Sequence, residues 1–174
     1  MKNIIFLSLI IPIFTFSCKQ YDFSFEEFNC VDASDDYFDN SCKNDWECSF
    51  ELLENSTINN DDENPKIESG DQLVFKVRLD HPGVDIIADD EFLYELYFEL
   101  DPTLTSFSAE DEELEGLKTW FNLSCFCYPS GWLEIKKGCI QGEKNENGEW
   151  EVHANILYED PSELIEIAKI VAIF

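Results

Sequence analysis

Alternation of apolar and polar side chains is the feature that most limits how this chain can fold. The stretch 92–100 reads Phe-Leu-Tyr-Glu-Leu-Tyr-Phe-Glu-Leu, and two earlier stretches, 46–52 and 73–79, show the same two-residue period. Successive side chains of a β-strand point to opposite faces, so this period places one apolar row against a core. We therefore predict three half-buried strands before residue 101.

Turn residues divide the rest of the chain into further short segments. Asn145–Gly148 predicts a tight hairpin, because Asn-Gly accepts positive φ at both turn positions. We expect a three-strand meander from about Thr119 to Tyr158. Glu163–Phe174 fits a helix or a strand, and a strand is preferred because β-branched residues dominate it. Asn55–Pro65 is expected to be a loop, and 108–117 a loop with one turn.

About seven short strands separated by Gly, Pro, Asn and Asp predict an all-β fold, an antiparallel β-sandwich over residues 46–174. The turn Ser69-Gly70-Asp71 before a Val/Phe strand, followed by Glu91–Leu100, is similar to the early strands of immunoglobulin-like modules in envelope proteins. That resemblance implies an Ig-like arrangement, although neither strand carries the cysteine of antibody domains. A barrel of the lipocalin kind, with a ligand cavity, is the alternative.

The first residues, 1–17, read as an export signal. A lysine precedes the apolar run Ile4–Phe16, which is too short to span a bilayer, since a span needs about 20 residues. The next residue, Cys18, resembles the lipid acceptor of bacterial lipoprotein signals. The resemblance implies that 1–17 is removed and that Cys18 anchors the protein in the cell envelope, at the outer membrane or cell surface. The alternative is an ordinary signal cut near Ser17, which gives a secreted soluble protein.

The cysteine count fits an exported protein. Six of the seven cysteines remain after Cys18 is set aside: Cys30, Cys42, Cys48, Cys125, Cys127 and Cys139. An even number in an oxidising compartment predicts up to three disulfides. Cys125 and Cys127 stand two apart in a predicted strand, a spacing unsuited to easy closure. A bond from either to the N-terminal cysteines would tie the acidic extension, 18–45, to the domain. Zinc is disfavoured, because Cys-x-x-Cys is absent and only two histidines occur.

The charge balance excludes one large class of partners. The chain has 38 acidic and 11 basic side chains, a net charge of −27. Nucleic-acid binding depends on neutralising phosphates with Lys and Arg, so we predict no nucleic-acid partner. An anionic lipid surface would also repel the chain, so membrane contact would come from the lipid on Cys18.

Side chains suited to catalysis are few. His81 precedes a proline in a predicted turn and His153 lies in a predicted strand, and both are interpreted as structural. The sequence contains no Gly-x-Ser-x-Gly, no His-Glu-x-x-His and no glycine-rich phosphate loop. We therefore predict no enzymatic activity and no cofactor.

Two features remain as candidate binding sites. Calcium takes six to eight oxygen ligands, and the weak candidates are Asp85, Asp89, Asp90 and Glu91, with further aspartates in 32–39. Neither stretch fits the Asp-x-Asp-x-Asp-Gly loop, so solvated acidic loops are the preferred interpretation. The aromatic residues Tyr97, Trp120 and Trp132 form either a binding face or part of the core.

Two functions follow from these features. The first is a lipid-anchored envelope or cell-surface binding or structural module with no catalytic activity and a protein or glycan partner. The second is a small-ligand carrier with a lipocalin-like cavity. An apolar pocket above roughly 300 Å³ would favour the carrier, whereas a filled core with an exposed aromatic patch would favour the module.

Overall fold

A computed structural model describes residues 30–31, 36–43, 45–60, 64–83, 91–125, 128–160 and 163–174. The predicted export signal, residues 1–17, and the predicted lipidation site Cys18 lie outside these residues. The described residues form one 3₁₀ helix, Asp111–Leu117, and ten strands. The strands are β1 (Glu47–Asn59), β2 (Lys66–Ser69), β3 (Gln72–His81), β4 (Phe92–Leu100), β5 (Ser106–Glu110), β6 (Trp120–Ser124), β7 (Gly131–Glu134), β8 (Lys137–Lys144), β9 (Trp150–Asp160) and β10 (Glu163–Ile173).

These strands build two antiparallel sheets. The first has six strands in the order β2-β1-β3-β4-β6-β7, and the second has four in the order β10-β9-β8-β5. The prediction of an all-β, antiparallel sandwich stapled by disulfides is therefore confirmed. The chain shares with immunoglobulin-like modules the architecture of two facing sheets.

The space between the sheets is filled by large side chains. Phe75 and Phe98 stack with ring centroids 4.6 Å apart, and the Trp150 ring meets Phe75 edge-on at 5.8 Å. Phe121 from β6 is fully buried in the same cluster. Each of the four rings occupies a position whose side chain points to the inner face of its sheet. The two-residue period of the sequence therefore places all four in this core.

The predicted meander from Thr119 to Tyr158 is wrong at one point. β6 pairs with β7 and β8 pairs with β9, but β7 and β8 belong to different sheets. Between them, buried Ile135 donates its N–H to the Thr119 carbonyl, and Gly138, the second residue of β8, adopts φ +109. A Cβ at Gly138 would lie 2.1 Å from the carbonyl oxygen of Asn155. The chain therefore passes from one sheet to the other between β7 and β8.

Two other segments differ in detail from the prediction. β1 continues to Asn59, and β2 begins at Lys66, where a single loop over Asn55–Pro65 was expected. These stretches are mostly polar and show no regular apolar alternation, so the sequence did not indicate that they pair as a hairpin. The segment 108–117 does hold the predicted helical turn, but the strand β5 before it was missed. The C-terminal segment is a strand, as preferred from its β-branched residues.

Disulfides fasten the acidic extension to the sandwich. Cys30 bonds to Cys139 of β8, and Cys42 bonds to Cys48 of β1. Cys125 is disulfide-bonded too, and its partner lies outside the described residues, as does the predicted candidate Cys127. The extension is thus tied to the domain through Cys139 and Cys48, whereas the sequence had suggested a tie through Cys125 or Cys127.

The extension also takes part in the four-stranded sheet. Cys139 points away from the core because its neighbour Ile140 points into it, so buried Cys30 lies on the outer surface of this sheet. Further along, Phe38 forms a parallel bridge with Ile170 on the edge of β10. The Asn40 side chain then accepts from and donates to the backbone of Ile173, at 2.6 and 2.8 Å. Residues 36–43 are therefore packed on the sandwich.

Candidate binding face

The outer surface of the six-stranded sheet carries an unusual combination of aromatic and polar side chains. On its core-facing side the strands β3, β4, β6 and β7 present apolar residues, so the intervening positions point outward. We use the name aromatic face for seven of these outward residues: Lys76, Arg78, Glu95, Tyr97, Trp120, Asn122 and Trp132. All seven are partly exposed.

Two rings form the centre of the aromatic face. Tyr97 on β4 and Trp132 on β7 have ring centroids 4.8 Å apart at an interplanar angle of 48°. One strand, β6, separates β4 from β7. Strands two places apart are about 10 Å apart, so both rings lean across β6 to meet. Trp120 stands directly opposite Tyr97 in the pairing of β4 with β6. Its indole N–H is buried and has no hydrogen-bond partner among the described residues.

A carboxylate holds the polar half of the aromatic face together. Glu95 accepts hydrogen bonds from the Asn122 amide at 2.9 Å, the Tyr97 hydroxyl at 3.3 Å and Arg78 Nη1 at 3.4 Å. The Glu95 side chain is only 14% exposed, so these donors compensate for the water it has lost. Arg78 also pairs with Asp80 through Nη2 at 2.8 Å.

The protonation of two groups is altered by these contacts. Partial burial raises the pKa of Tyr97 to about 12, and the nearby negative charge of Glu95 adds to this effect. The hydrogen bond to Asp80 raises the pKa of Arg78 above its usual value. At neutral pH the aromatic face therefore presents a neutral phenol and a permanent guanidinium cation.

Next to the aromatic face, the β1–β2 hairpin covers part of the outer surface of the same sheet. The Glu99 carboxylate on β4 accepts the N–H of Ile58 at 2.8 Å and the hydroxyl of Thr57 at 2.9 Å. Since β3 lies between β1 and β4, this contact requires the end of β1 to bend over the outer surface of β3. Val74 and Ile58 are accordingly buried although neither belongs to the core between the sheets. The Lys118 ammonium also pairs with the Glu99 carboxylate, with Nζ and Oε1 2.8 Å apart.

A cleft of about 290 Å³ lies at the end of the sandwich that holds the β8–β9 turn. Core residues Leu52, Leu73 and Trp150 form part of its wall, and polar residues such as Glu54 and Gln72 form much of the rest. The cleft is peripheral to the filled core and differs from the enclosed apolar cavity that a carrier of the lipocalin kind would need.

The two histidines lie in different parts of the fold. His81 packs against Trp46 with ring centroids 5.1 Å apart, and its Nδ1 accepts the N–H of Gly83. His153 lies on the outer surface of the four-stranded sheet, 3.3 Å from Glu151. Neither residue belongs to the aromatic face.

Three of the four weak calcium candidates cannot be placed. Asp85, Asp89 and Asp90 lie outside the described residues, and Glu91 is exposed at the start of β4. No group of three or more His, Cys, Asp or Glu side chains placed to hold a metal ion occurs in the described ranges.

Sequence reasoning named the three rings of the aromatic face but missed its polar members. Arg78, Glu95 and Asn122 were unremarkable among so many charged residues. The signal that could have found them is the alternation itself, because it puts Glu95 on the same face as Tyr97 and puts Arg78 opposite to the core residues of β3.

Comparison with known proteins gives no relative for this chain: no protein family, no curated protein and no solved structure matches it. In the part of the chain that the structure describes, no helix has the length and apolar character needed to cross a membrane.

Proposed function

We propose that the protein is an exported, lipid-anchored binding module of the cell envelope without catalytic activity of its own. Residues 18–29 would link the lipid on Cys18 to the sandwich, and the aromatic face would bind a protein or glycan partner. The observation that carries this proposal is the aromatic face itself: partly exposed rings and polar groups on a sheet whose other side is fully packed.

The position of the extension supports an arrangement in which the aromatic face points away from the membrane anchor. Buried Cys30 is bonded to Cys139 on the outer surface of the four-stranded sheet, on the opposite side of the sandwich from the aromatic face. A module anchored through the residues before Cys30 would carry its aromatic face away from its point of attachment. The disulfides are consistent with an oxidising compartment outside the cytosol.

The filled core favours the module over the carrier. Phe75, Phe98, Phe121 and Trp150 occupy the space between the sheets, and each is less than 2% exposed. A carrier would need that space for its ligand. No observation on the described residues favours the carrier.

Intact mass spectrometry of the protein from the membrane fraction of a bacterial host tests the anchor. We expect a chain that begins at Cys18, carries the mass of a diacylglycerol group and gains free thiols only after reduction. The matched control is C18S, which should leave the membrane fraction. An unmodified N-terminus, or a wild-type protein that is soluble like C18S, would contradict the anchor.

A further inference from the structure

We infer that the ligand of the aromatic face is a neutral glycan. This inference rests on the proposed binding function and names its ligand class. It depends on three properties of the face: ring geometry, hydrogen-bonding groups and charge.

The ring geometry fits a sugar. Tyr97 and Trp132 are both partly exposed residues, and their rings form a two-ring platform on the outer surface of a sheet. The less polar side of a pyranose, which is lined by C–H groups, can stack on such rings while its hydroxyls stay in water. A platform of two adjacent rings across β4 and β7 would hold a chain of sugars running across the strands.

Polar groups of the right kind surround the platform. Asn122 and Arg78 supply planar N–H donors, and Glu95 supplies carboxylate oxygens, all within the connected network described above. Neighbouring hydroxyls of a sugar both donate and accept hydrogen bonds, and planar amide and guanidinium groups can bind two of them at once. The network holds these side chains in place before the ligand arrives, which lowers the entropic cost of binding.

The charges of the aromatic face and of the whole chain disfavour an anionic glycan. Both cations of the face are already paired, Lys76 with Glu51 at 3.2 Å and Arg78 with Asp80 and Glu95. An anionic glycan would therefore meet no unbalanced positive charge, and the net charge of −27 would repel it. A neutral glycan pays no such cost.

A protein partner fits the face less well. Protein interfaces place large apolar anchors in a water-excluding centre. The large apolar side chains that are most exposed in the described residues are Leu104, Tyr128, Leu164 and Ile173, and none lies on the aromatic face. The face instead mixes partly exposed rings with satisfied polar groups.

Affinity electrophoresis of the disulfide-intact mature protein in native gels tests this inference. The gels contain soluble neutral polysaccharides (α- and β-glucans, mannan, xylan and galactan) or, for comparison, alginate and heparin as anionic ones. We expect at least one neutral polysaccharide to slow the wild type. Because stacking on a neutral sugar involves no net charge, the retardation should change little between about 50 and about 500 mM NaCl.

Variants connect any binding to the platform. Y97A and W132A should each weaken it by about tenfold or more, a loss of about 1.4 kcal/mol. Y97F and W132F keep a ring and should retain most of the affinity. The control is Y37A, which removes a partly exposed ring on the extension beside β10. Unfolding curves in urea check that each variant is folded.

Three results would overturn the inference: no retardation by any neutral polysaccharide, equal binding by Y97A and W132A, or binding confined to the anionic polysaccharides. Capture of a protein through the same face, lost in Y97A, would refute the glycan but leave the binding module intact. The lipid anchor is tested separately by intact mass spectrometry, so its absence would not be confused with a failure to bind glycan.

Discussion

At the scale of single residues, Tyr97 links the two halves of the aromatic face. Its ring contacts Trp132 and its hydroxyl donates to Glu95, so one side chain serves both the platform and the polar network. The same position explains its altered acidity. Removing the phenolic proton would place a second negative charge beside Glu95 in a partly water-excluded site, which raises the pKa to about 12.

This raised pKa predicts a loss of stability at alkaline pH. The folded protein holds a proton that the unfolded chain releases near pH 10.0, the ordinary value for tyrosine. The stabilisation is fully present below pH 10 and is lost as the pH rises through about 12. In urea unfolding at several pH values, Y97F should therefore lose less stability than the wild type across that window. Tyr94 also has a raised pKa and is unchanged in both proteins. Equal pH dependence in the two would contradict this assignment.

At the scale of elements, the β1–β2 hairpin depends on a contact that no strand pairing supplies. The Glu99 side chain is 11% exposed and reaches the Ile58 N–H, the Thr57 hydroxyl and the Lys118 ammonium. These contacts hold the end of β1 over β3. They also fix where the covered part of the sheet surface ends and the open aromatic face begins.

We expect E99A to destabilise the protein by about 2 kcal/mol. The substitution leaves a backbone N–H and a hydroxyl without their acceptor in a site with little access to water, and such unpaired groups cost about 1–3 kcal/mol each when buried. The control is E134A, which breaks the exposed pair of Glu134 and Lys136 and should cost less than about 0.5 kcal/mol. Free energies from urea unfolding measure both. Similar losses in the two variants would show that the hairpin does not depend on Glu99.

Also at this scale, hydrophobic period and turn chemistry determined where most strands lie. The stretches 73–79 and 92–100 fall within β3 and β4, and the Asn145–Gly148 hairpin joins β8 to β9. Period and turns are local properties, so a single sequence reveals them. The pairing of β7 and β8 with different sheets is not local: it depends on how Ile135 and Gly138 fit against distant strands.

At the scale of the whole molecule, the two described disulfides close loops of very different length. Cys30 and Cys139 are 109 residues apart, whereas Cys42 and Cys48 are six apart. In the chain-entropy account, closing a loop of about 100 residues stabilises a protein by about 4.7 kcal/mol, and a 15-residue loop by about 3 kcal/mol. The long bond should therefore matter more.

C30A/C139A should lose about 4–5 kcal/mol of unfolding free energy, and C42A/C48A less than about 3 kcal/mol. The first variant also frees the extension at Cys30 from the four-stranded sheet. Limited proteolysis should accordingly cut the segment before Phe38 faster in C30A/C139A. A larger loss of stability in C42A/C48A would contradict the loop-length argument.

The sequence by itself determined the all-β class, most strand positions, the acidic character and an even set of six cysteines after Cys18. All of these follow from side-chain type and short-range spacing. Tertiary structure alone decided that Cys30 meets Cys139, that the chain changes sheets after β7, and that Tyr97, Trp132, Glu95 and Arg78 converge on one open surface. Those facts depend on which strands become neighbours, and strand order is set by the packing of the complete core rather than by any local pattern.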